Sequence, residues 1–218
     1  GGLMRTNIPS FRLPAEVLDE EMNYILDMGV DLRLNSPIDS MKGLLQEGYD
    51  AIFVGSGAPK GKDLDIPGRN ESDRIHIGID WLESVAFDHV DSIGKKVLII
   101  GVGNTAMDCC RTSLRLGAKD VKVMARKPRD FFKASDWELE DAEEEQVSIV
   151  VNHSPKEFVH KDGKLIGMNF EKMEYDIDEN GRITDTRVMG EEFFPCDDVV
   201  LAIGQDNAFP WIERDIEI

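Results

Sequence analysis

The segment KVLIIGVGNTA, residues 96–106, constrains the fold more than any other stretch of the chain. Its apolar start is typical of a buried strand, and the residues after the glycines have the pattern of a helix. Gly101, Gly103 and Ala106 fit the G-x-G-x-x-[GA] pattern of dinucleotide-binding turns. In such turns the first glycine permits a tight turn, the second opens the backbone to a pyrophosphate, and the small third residue lets the helix pack on the strand.

The start of the predicted helix offers further groups to an anion. The first amides of a helix have no partners within it and carry partial positive charge, which favours a phosphate. Asn104 and Thr105 stand at this point, where their side chains can cap the helix or reach a ligand. A tight turn without a ligand is the alternative interpretation of the glycines alone, but the surrounding strand-helix-strand pattern favours a nucleotide site.

Basic residues follow the next predicted strand, about 25 residues after the glycines. NAD sites place a carboxylate there, on the ribose hydroxyl, whereas VKVMARKPRD places Arg126 and Lys127, with Arg129 and Lys133 close behind. A guanidinium can bind a phosphate through two hydrogen bonds, and an ammonium adds a point charge. This is the densest basic run of an acidic chain, so the sequence predicts NADP rather than NAD.

The order of predicted elements indicates an α/β fold with a Rossmann-like parallel sheet. From residue 96 the patterns give strand, helix, strand, helix and strand, in the segments KVLIIG, NTAMDCCRTSLRLG, DVKVMAR, SDWELEDAEEEQ and VSIVVN. Three β-like runs follow, separated by the turn signals Asp162-Gly163 and Asn180-Gly181, and predict an antiparallel meander. The run CDDVVLAIGQ then predicts a buried strand that rejoins the parallel sheet.

The residues before Lys96 also predict alternating helices and strands. PAEVLDEEMNYILDMGV has the pattern of an amphipathic helix that starts at Pro14 and stops at Gly29. SMKGLLQEG and IDWLESVAF predict two further helices. DLRLN predicts a short strand, and YDAIFVGSGA, residues 49–58, predicts a buried strand that runs into a turn.

Composition argues against several functions. Nucleic acid is not a predicted partner, because binding it draws on a basic surface and the 218 residues carry a formal net charge of −18. No apolar run approaches the roughly 20 residues of a membrane span, so we expect a soluble protein without a membrane partner. Three cysteines, two of them adjacent, form no disulfide framework, zinc pattern or C-x-x-C, which favours a reducing cytoplasm. The four histidines are scattered, and no metal site is predicted.

The sequence also resembles a known family. The segments GVGNTAMDCCRTSLRLGA, ARKPRDFF, EEEQV and DDVVLAIGQ are similar to those of the small (beta) subunit of NADPH-dependent glutamate synthase. GGLMRTNIPSFRLPAEV resembles the family's G-G-L-x-x-x-x-I-P-x-F-R-L-P segment. GYDAIFVGSGAPKGKDLDIPG resembles its G-Y-D-A-x-x-x-A-T-G segment, with Gly55 and Ser56 in place of Ala and Thr. The wider group includes the matching domains of dihydropyrimidine dehydrogenase.

The resemblance implies an NADPH-binding Rossmann-like domain inserted in an FAD-binding α/β domain. Residues 1–92 then form a partial FAD-domain segment, residues 93–205 the NADPH-binding domain, and residues 206–218 the start of the return into the FAD domain. The implied activity is that of an NADPH-dependent flavoprotein oxidoreductase. Hydride passes from NADPH to FAD, and electrons continue through iron–sulfur clusters to a large catalytic subunit or another acceptor protein.

The resemblance also assigns residues to the NADP site. It matches positions to the pyrophosphate turn, to the paired cations of the 2′-phosphate site and to a strand end beside the nucleotide. These positions are Gly101, Gly103, Asn104 and Thr105 for the turn, Arg126 and Lys127 for the cations, and Ile203 and Gly204 for the strand end.

Finally, the resemblance implies that the chain is an internal part of a longer protein. The family's FAD domain has a G-x-G-x-x-G turn before the GGL segment and a Gly-Asp segment after AIGQ, and this sequence contains neither, nor the cysteine-rich cluster region. We therefore expect the chain to bind NADPH without turnover, with FAD and the iron–sulfur clusters held by the parent protein. The alternative hypothesis is a non-catalytic nucleotide-binding module with a regulatory or scaffold role.

Overall fold

The computed structural model describes residues 2–216 and divides them among six α-helices, ten strands and a 3-10 turn at Arg129–Phe131. The helices are α1 (Leu3–Thr6), α2 (Ala15–Leu26), α3 (Met41–Leu45), α4 (Gly78–Ala86), α5 (Asn104–Arg115) and α6 (Asp136–Glu144). The strands are β1 (Lys60–Gly61), β2 (Ile75–Ile77), β3 (Lys96–Ile100), β4 (Asp120–Met124), β5 (Ser148–Val150), β6 (His153–Lys161), β7 (Lys164–Ile177), β8 (Ile183–Pro195), β9 (Asp198–Leu201) and β10 (Gln205–Asp206).

The central sheet has five parallel strands in the order β2-β9-β3-β4-β5. Its inner strands are almost continuously apolar, as expected for a sheet that is covered on both faces. Strand β9 inserts between β2 and β3, so the prediction that this run rejoins the parallel sheet is confirmed. The predicted Rossmann-like α/β fold is likewise confirmed.

Alternate residues of the central strands point to two separate cores. One face packs against α4, α5 and α6, and this core includes Val97, Ile99, Val123, Val200, Trp81, Met107, Cys110 and Leu139. The opposite face packs against the strands β6 to β8, and this core includes Leu98, Ile100, Met124, Val199, Leu201, Phe158, Met168 and Phe170. The sheet is therefore the middle of three layers, with helices on one side and a second sheet on the other.

The second sheet is the predicted meander, with β6, β7 and β8 joined in antiparallel pairs. Asp162 and Gly163 both have positive φ, at 52° and 73°, which is the conformation of a two-residue hairpin turn. Gly181 has φ 74° in the second connection. The long strands β7 and β8 extend beyond the core, toward the end of the central sheet at which β4 finishes.

Two predicted strands near the start of the chain are wrong. DLRLN and residues 49–58 have no strand structure, and Phe53 is 94% exposed. A strand needs a neighbour for its backbone hydrogen bonds, and no strand of residues 2–216 lies beside either segment. The predicted amphipathic helix does form as α2, but of its apolar face only Leu18 is buried.

The segments that lead into and out of the central sheet lie side by side. Strand β1 pairs antiparallel with β10, and the amide of Met41 donates a hydrogen bond to the carbonyl of Trp211 over 3.0 Å. The end of the described chain thus returns to the region of α3. The boundary placed after residue 92 stays a prediction, and β2 and α4, which precede it, belong to the central sheet and its helix-side core. None of the helices in residues 2–216 has the length and apolar character that crossing a membrane requires.

Candidate nucleotide-binding site

Gly101 makes the tight turn between β3 and α5. Its φ is 124°, and a Cβ at this position would lie 2.2 Å from the carbonyl oxygen of Ala202. Its amide donates a hydrogen bond to the carbonyl of Met124 over 3.2 Å. Only glycine fits both the backbone angle and the space, so the turn cannot accept a side chain here.

Gly103 differs from Gly101 because its surroundings are open. Its φ is −101°, and a Cβ there would meet no atom within 4 Å. Within residues 2–216, no group accepts a hydrogen bond from the amides of Gly103, Asn104 or Thr105. Behind them Ala106 is fully buried against the sheet. The turn thus presents three free donors at the start of α5, next to space that the protein does not fill.

Asn104 does not cap α5, because no side-chain cap is formed at this helix start. Its Oδ1 instead accepts a hydrogen bond from the amide of Ser135 over 3.1 Å. The amides of Lys133 and Ala134 donate to the carbonyl of Val102 over 3.1 and 3.0 Å. The residues before α6 therefore brace the turn from the side and leave the Asn104 amide group free to donate outward.

Arg126 and Lys127 follow β4, which is the parallel neighbour of β3. Ile100 and Met124 are paired in register, so the cations and the glycine turn lie at the same edge of the sheet. Within residues 2–216 no carboxylate forms an ion pair with either cation, whereas Arg129 pairs with Glu143 at 2.5 Å. Arg126 is exposed, and the Lys127 Nζ lies 5.4 Å from the centre of the Phe131 ring. Two uncompensated positive charges thus stand beside the turn.

Gly204 follows β9, which flanks β3 on its other side. Its φ is 116°, and its carbonyl accepts a hydrogen bond from the amide of Lys62 over 3.0 Å. Gly204 and Thr105 line a common hollow, together with Gly61 and Ile77. The predicted positions therefore meet at the carboxyl ends of β4, β3 and β9, the edge at which parallel α/β sheets bind ligands.

Tyr175 of the meander contacts the segment after β4, and the sequence did not predict a role for it. Its hydroxyl donates a hydrogen bond to the carbonyl of Arg126 over 2.5 Å. The register of β7 on the central sheet determines this contact, and a lone tyrosine in a strand pattern carries no signal of it.

A buried ion cluster behind the turn was also missed. Arg12 pairs with Asp108 of α5, with 2.6 Å between Nη1 and Oδ1, and with Glu138 of α6. Glu138 is 0% exposed, and burial raises the pKa of both carboxyl groups while Arg12 opposes this effect. Arg111 extends the cluster to Asp141 and Glu145. The only sequence hint was that Arg12 lies within the FRLP segment of the resemblance.

The three cysteines offer no redox dithiol. Cys109, Cys110 and Cys196 are all free and buried. Burial raises the pKa of the Cys110 thiol to about 12 and that of Cys196 to about 12. Thiols in this state are not nucleophiles at neutral pH, so the candidate chemistry of this chain does not involve them.

The described residues do not form an FAD cradle. Gly55, Ser56 and Gly57, which match the family's A-T-G segment, lie in an irregular stretch without a neighbouring strand. A flavin site needs a strand end and a helix start of the kind found at Gly101. The nucleotide turn fits an NADP pyrophosphate, whereas residues 55–57 form no such turn within residues 2–216.

Comparison with known proteins supports this description. A family model described as pyridine nucleotide-disulphide oxidoreductase matches residues 13–215. The NADP(+)-dependent formate dehydrogenase subunit beta of Moorella thermoacetica is 36% identical over 100% of this chain and 32% of its own length. The glutamate synthase (NADPH) small chain of Escherichia coli K12 is 31% identical over 98% of this chain and 49% of its own length. The chain thus spans about a third to a half of these relatives.

Solved structures share the fold. FprA of Mycobacterium tuberculosis in complex with NADPH has a TM-score of 0.74 at 19% identity, over 94% of this chain and 61% of that chain. Thioredoxin reductase of T. acidophilum has a TM-score of 0.62 at 15% identity, over 97% and 68%. The predicted resemblance to the glutamate synthase small subunit is confirmed by the relatives above 30% identity. Since the family model covers nearly the whole chain, this protein belongs to the pyridine nucleotide-disulphide oxidoreductase family.

Proposed function

We propose that this chain is the NADPH-binding portion of a flavoprotein oxidoreductase of the glutamate synthase beta-subunit type. In the whole protein, hydride passes from NADPH to FAD, and electrons continue to a partner protein such as a large catalytic subunit. One observation carries the proposal: a turn with free amides and two uncompensated cations lie at the ends of neighbouring parallel strands. The relatives support it, because they include beta subunits named as an NADP(+)-dependent formate dehydrogenase and an NADPH-Fe(3+) oxidoreductase.

The pyrophosphate is assigned to the glycine turn. The amides of Gly103, Asn104 and Thr105 are free to donate to its oxygens, and the partial positive charge of the α5 start adds to the attraction. Gly103 permits close approach because no atom stands where its side chain would be. Asn104 can donate through its amide group, since only its oxygen is engaged by Ser135.

The 2′-phosphate of NADP is assigned to Arg126 and Lys127. Neither cation is neutralised by a carboxylate of residues 2–216, so both charges are available to a dianion. An acidic side chain at this point would instead favour the free ribose hydroxyl of NAD. The sequence ARKP contains no acidic residue there.

The nicotinamide end is assigned to the hollow beside Gly204. This hollow lies on the far side of β3 from the cations, which is where a nucleotide extended across the carboxyl edge would place its other half. NADPH supplies hydride from this ring when bound. Gly204 and Thr105 line the hollow, whose volume of about 10 Å³ admits no more than a water, so the ring would lie over its mouth, against the strand end.

FAD and the iron–sulfur clusters are assigned to the parent protein. The proposed division remains 1–92 for the FAD-domain segment, 93–205 for the NADPH domain and 206–218 for the return. The pairing of β1 with β10 supports an insertion, because it brings the chain before β2 and the chain after β9 to one place. Although β2 and α4 lie within residues 1–92, they pack as part of the nucleotide unit. The hydrogen bond from Met41 to Trp211 supports the return into the first segment.

Nucleotide titration tests the proposal. We expect NADPH to quench intrinsic fluorescence with a Kd clearly below that of NADH. Arg126→Glu should weaken NADPH binding about 10- to 100-fold, the range for charge-assisted hydrogen bonds of about 1.5 to 3 kcal/mol, and should not weaken NADH binding, because a carboxylate there can accept a hydrogen bond from the free ribose hydroxyl. Arg129→Gln is the matched control, since Glu143 already engages that cation. Equal affinity for the two nucleotides would overturn the NADP assignment.

A further inference from the structure

We infer that Tyr175 of the meander strand β7 is a positioning residue that sets the preference for NADPH over NADH. It would do so by fixing the peptide between the two cations of the proposed 2′-phosphate site. This inference rests on the proposed function. Its structural basis is the hydrogen bond from the Tyr175 hydroxyl to the carbonyl oxygen of Arg126, which spans 49 positions of sequence and joins two different sheets.

The carbonyl of Arg126 is a sensitive point because of the planar peptide bond. That oxygen and the amide of Lys127 belong to one rigid plane, whose two ends are the Cα atoms of the two cations. Holding the oxygen restricts rotation of this plane, and thereby ψ of Arg126 and φ of Lys127, the backbone angles that set the directions in which the two side chains leave the chain. The preceding residue, Ala125, is already fixed by hydrogen bonds to Val150 and from His153, at 2.8 and 3.0 Å. Tyr175 supplies the matching constraint one residue later.

The tyrosine is itself held in place. Two residues before it, the amide of Met173 donates to the carbonyl of Asn152 over 2.8 Å, which ties β7 to the connection between β5 and β6. On the other side Tyr175 pairs in register with Thr186 of β8. Burial raises the pKa of Tyr175 above its ordinary value, so its hydroxyl keeps the proton that it donates. The donor thus stands on a strand anchored on both sides.

Loss of the hydrogen bond from Tyr175 should affect the binding of NADPH and NADH differently. NADPH must engage both cations with one phosphate, so freedom of the intervening peptide weakens its binding through lost preorganisation. NADH has no 2′-phosphate and makes no use of that geometry. Tyr175→Phe keeps the ring and removes only the hydroxyl. We expect it to weaken NADPH binding about fivefold, the factor that corresponds to one hydrogen bond of about 1 kcal/mol, with no change for NADH.

The test compares Kd values of NADPH and NADH for wild type, Tyr175→Phe and Arg126→Glu. The matched control is Tyr24→Phe, because Tyr24 is 65% exposed and lies on α2, outside the central sheet and the meander. A selective loss of NADPH affinity in Tyr175→Phe supports the inference. An equal loss for both nucleotides, or none, overturns it.

The same measurements separate this inference from the proposed function. If Arg126→Glu abolishes the preference but Tyr175→Phe does not, the cation site stands and the positioning role is wrong. If wild type shows no preference, the proposed NADP site and the role of Tyr175 both fail. Melting temperatures of the variants identify a change that is merely structural, since such a change would lower stability and affect both nucleotides alike.

Discussion

Arg12 and Asp108 form an ion pair that joins the segment before α2 to the helix that begins at the glycine turn. The same guanidinium contacts the fully buried Glu138 of α6, and its Cζ atom lies 5.3 Å from the centre of the Trp137 ring. One side chain therefore compensates two buried carboxylates on different helices. The geometry fixes α5 and α6 relative to each other, directly behind the proposed pyrophosphate turn.

Replacing Arg12 should destabilise the fold strongly. Arg12→Met removes the main partner of Asp108 and Glu138 and leaves Arg111, 3.8 Å from Glu138, as the remaining nearby cation. Breaking a buried pair from one side costs about 3 to 5 kcal/mol. Urea unfolding at pH 7 measures this loss. The control is Arg5→Gln, since the Arg5–Asp19 pair is exposed on both sides and should change stability by less than about 1 kcal/mol. Similar effects in the two variants would show that the cluster does not stabilise the fold.

Glu145 should contribute stability that depends on pH. Hydrogen bonds from Arg115 and Arg111 hold the pKa of its carboxyl below the usual range. A carboxyl with a lower pKa in the folded chain stabilises above its unfolded pKa, near 4.3, and loses that effect as pH falls through the folded pKa. Glu145→Gln should therefore cost about 1 kcal/mol at pH 7 and much less at about pH 3. Glu144→Gln, its exposed neighbour, serves as the control, and a cost independent of pH would contradict the assignment.

Substitution of the first glycine of the turn should affect folding, whereas substitution of the second should affect NADPH binding. Gly101→Ala would place a Cβ 2.2 Å from the Ala202 carbonyl at a φ of 124°, so we expect a lower melting temperature. Gly103→Ala meets no protein atom and has an ordinary φ, so it should fold normally while binding NADPH at least about tenfold more weakly. Thermal melts and nucleotide titrations on both variants decide this. Unchanged NADPH affinity in Gly103→Ala would place the pyrophosphate elsewhere.

The thiols should be unreactive in the folded protein. A pKa of about 12 for Cys110 leaves about one part in ten thousand as thiolate at pH 8, and burial blocks access. Ellman's reagent should therefore detect almost no thiol until denaturant is added, when all three cysteines react. Rapid reaction of one thiol in the native state would reveal an exposed, activated cysteine. NADPH binding should survive replacement of Cys196 by serine if folding is retained.

The sequence predicted the elements whose patterns are local. These elements are the glycine turn, the helices α5 and α6 and the meander. They could be predicted because a helical or alternating period and a two-residue turn each depend on residues close together in sequence. The same reasoning wrongly predicted a strand at residues 49–58. An apolar run forms a strand only where another strand supplies partners for its backbone hydrogen bonds. Their exposure in the fold follows from the absence of such a neighbour among residues 2–216.

By itself, then, the sequence determined the turn at Gly101, the free helix start at Asn104 and the basic pair at Arg126, all of which depend on neighbours in the chain. Only the tertiary structure decided which residues distant in sequence contact and position these features. Arg12 reaches Asp108 across 96 positions, and Tyr175 reaches Arg126 across 49. Such contacts depend on how layers stack and strands register, and packing of this kind is a property of the whole core that no local pattern encodes.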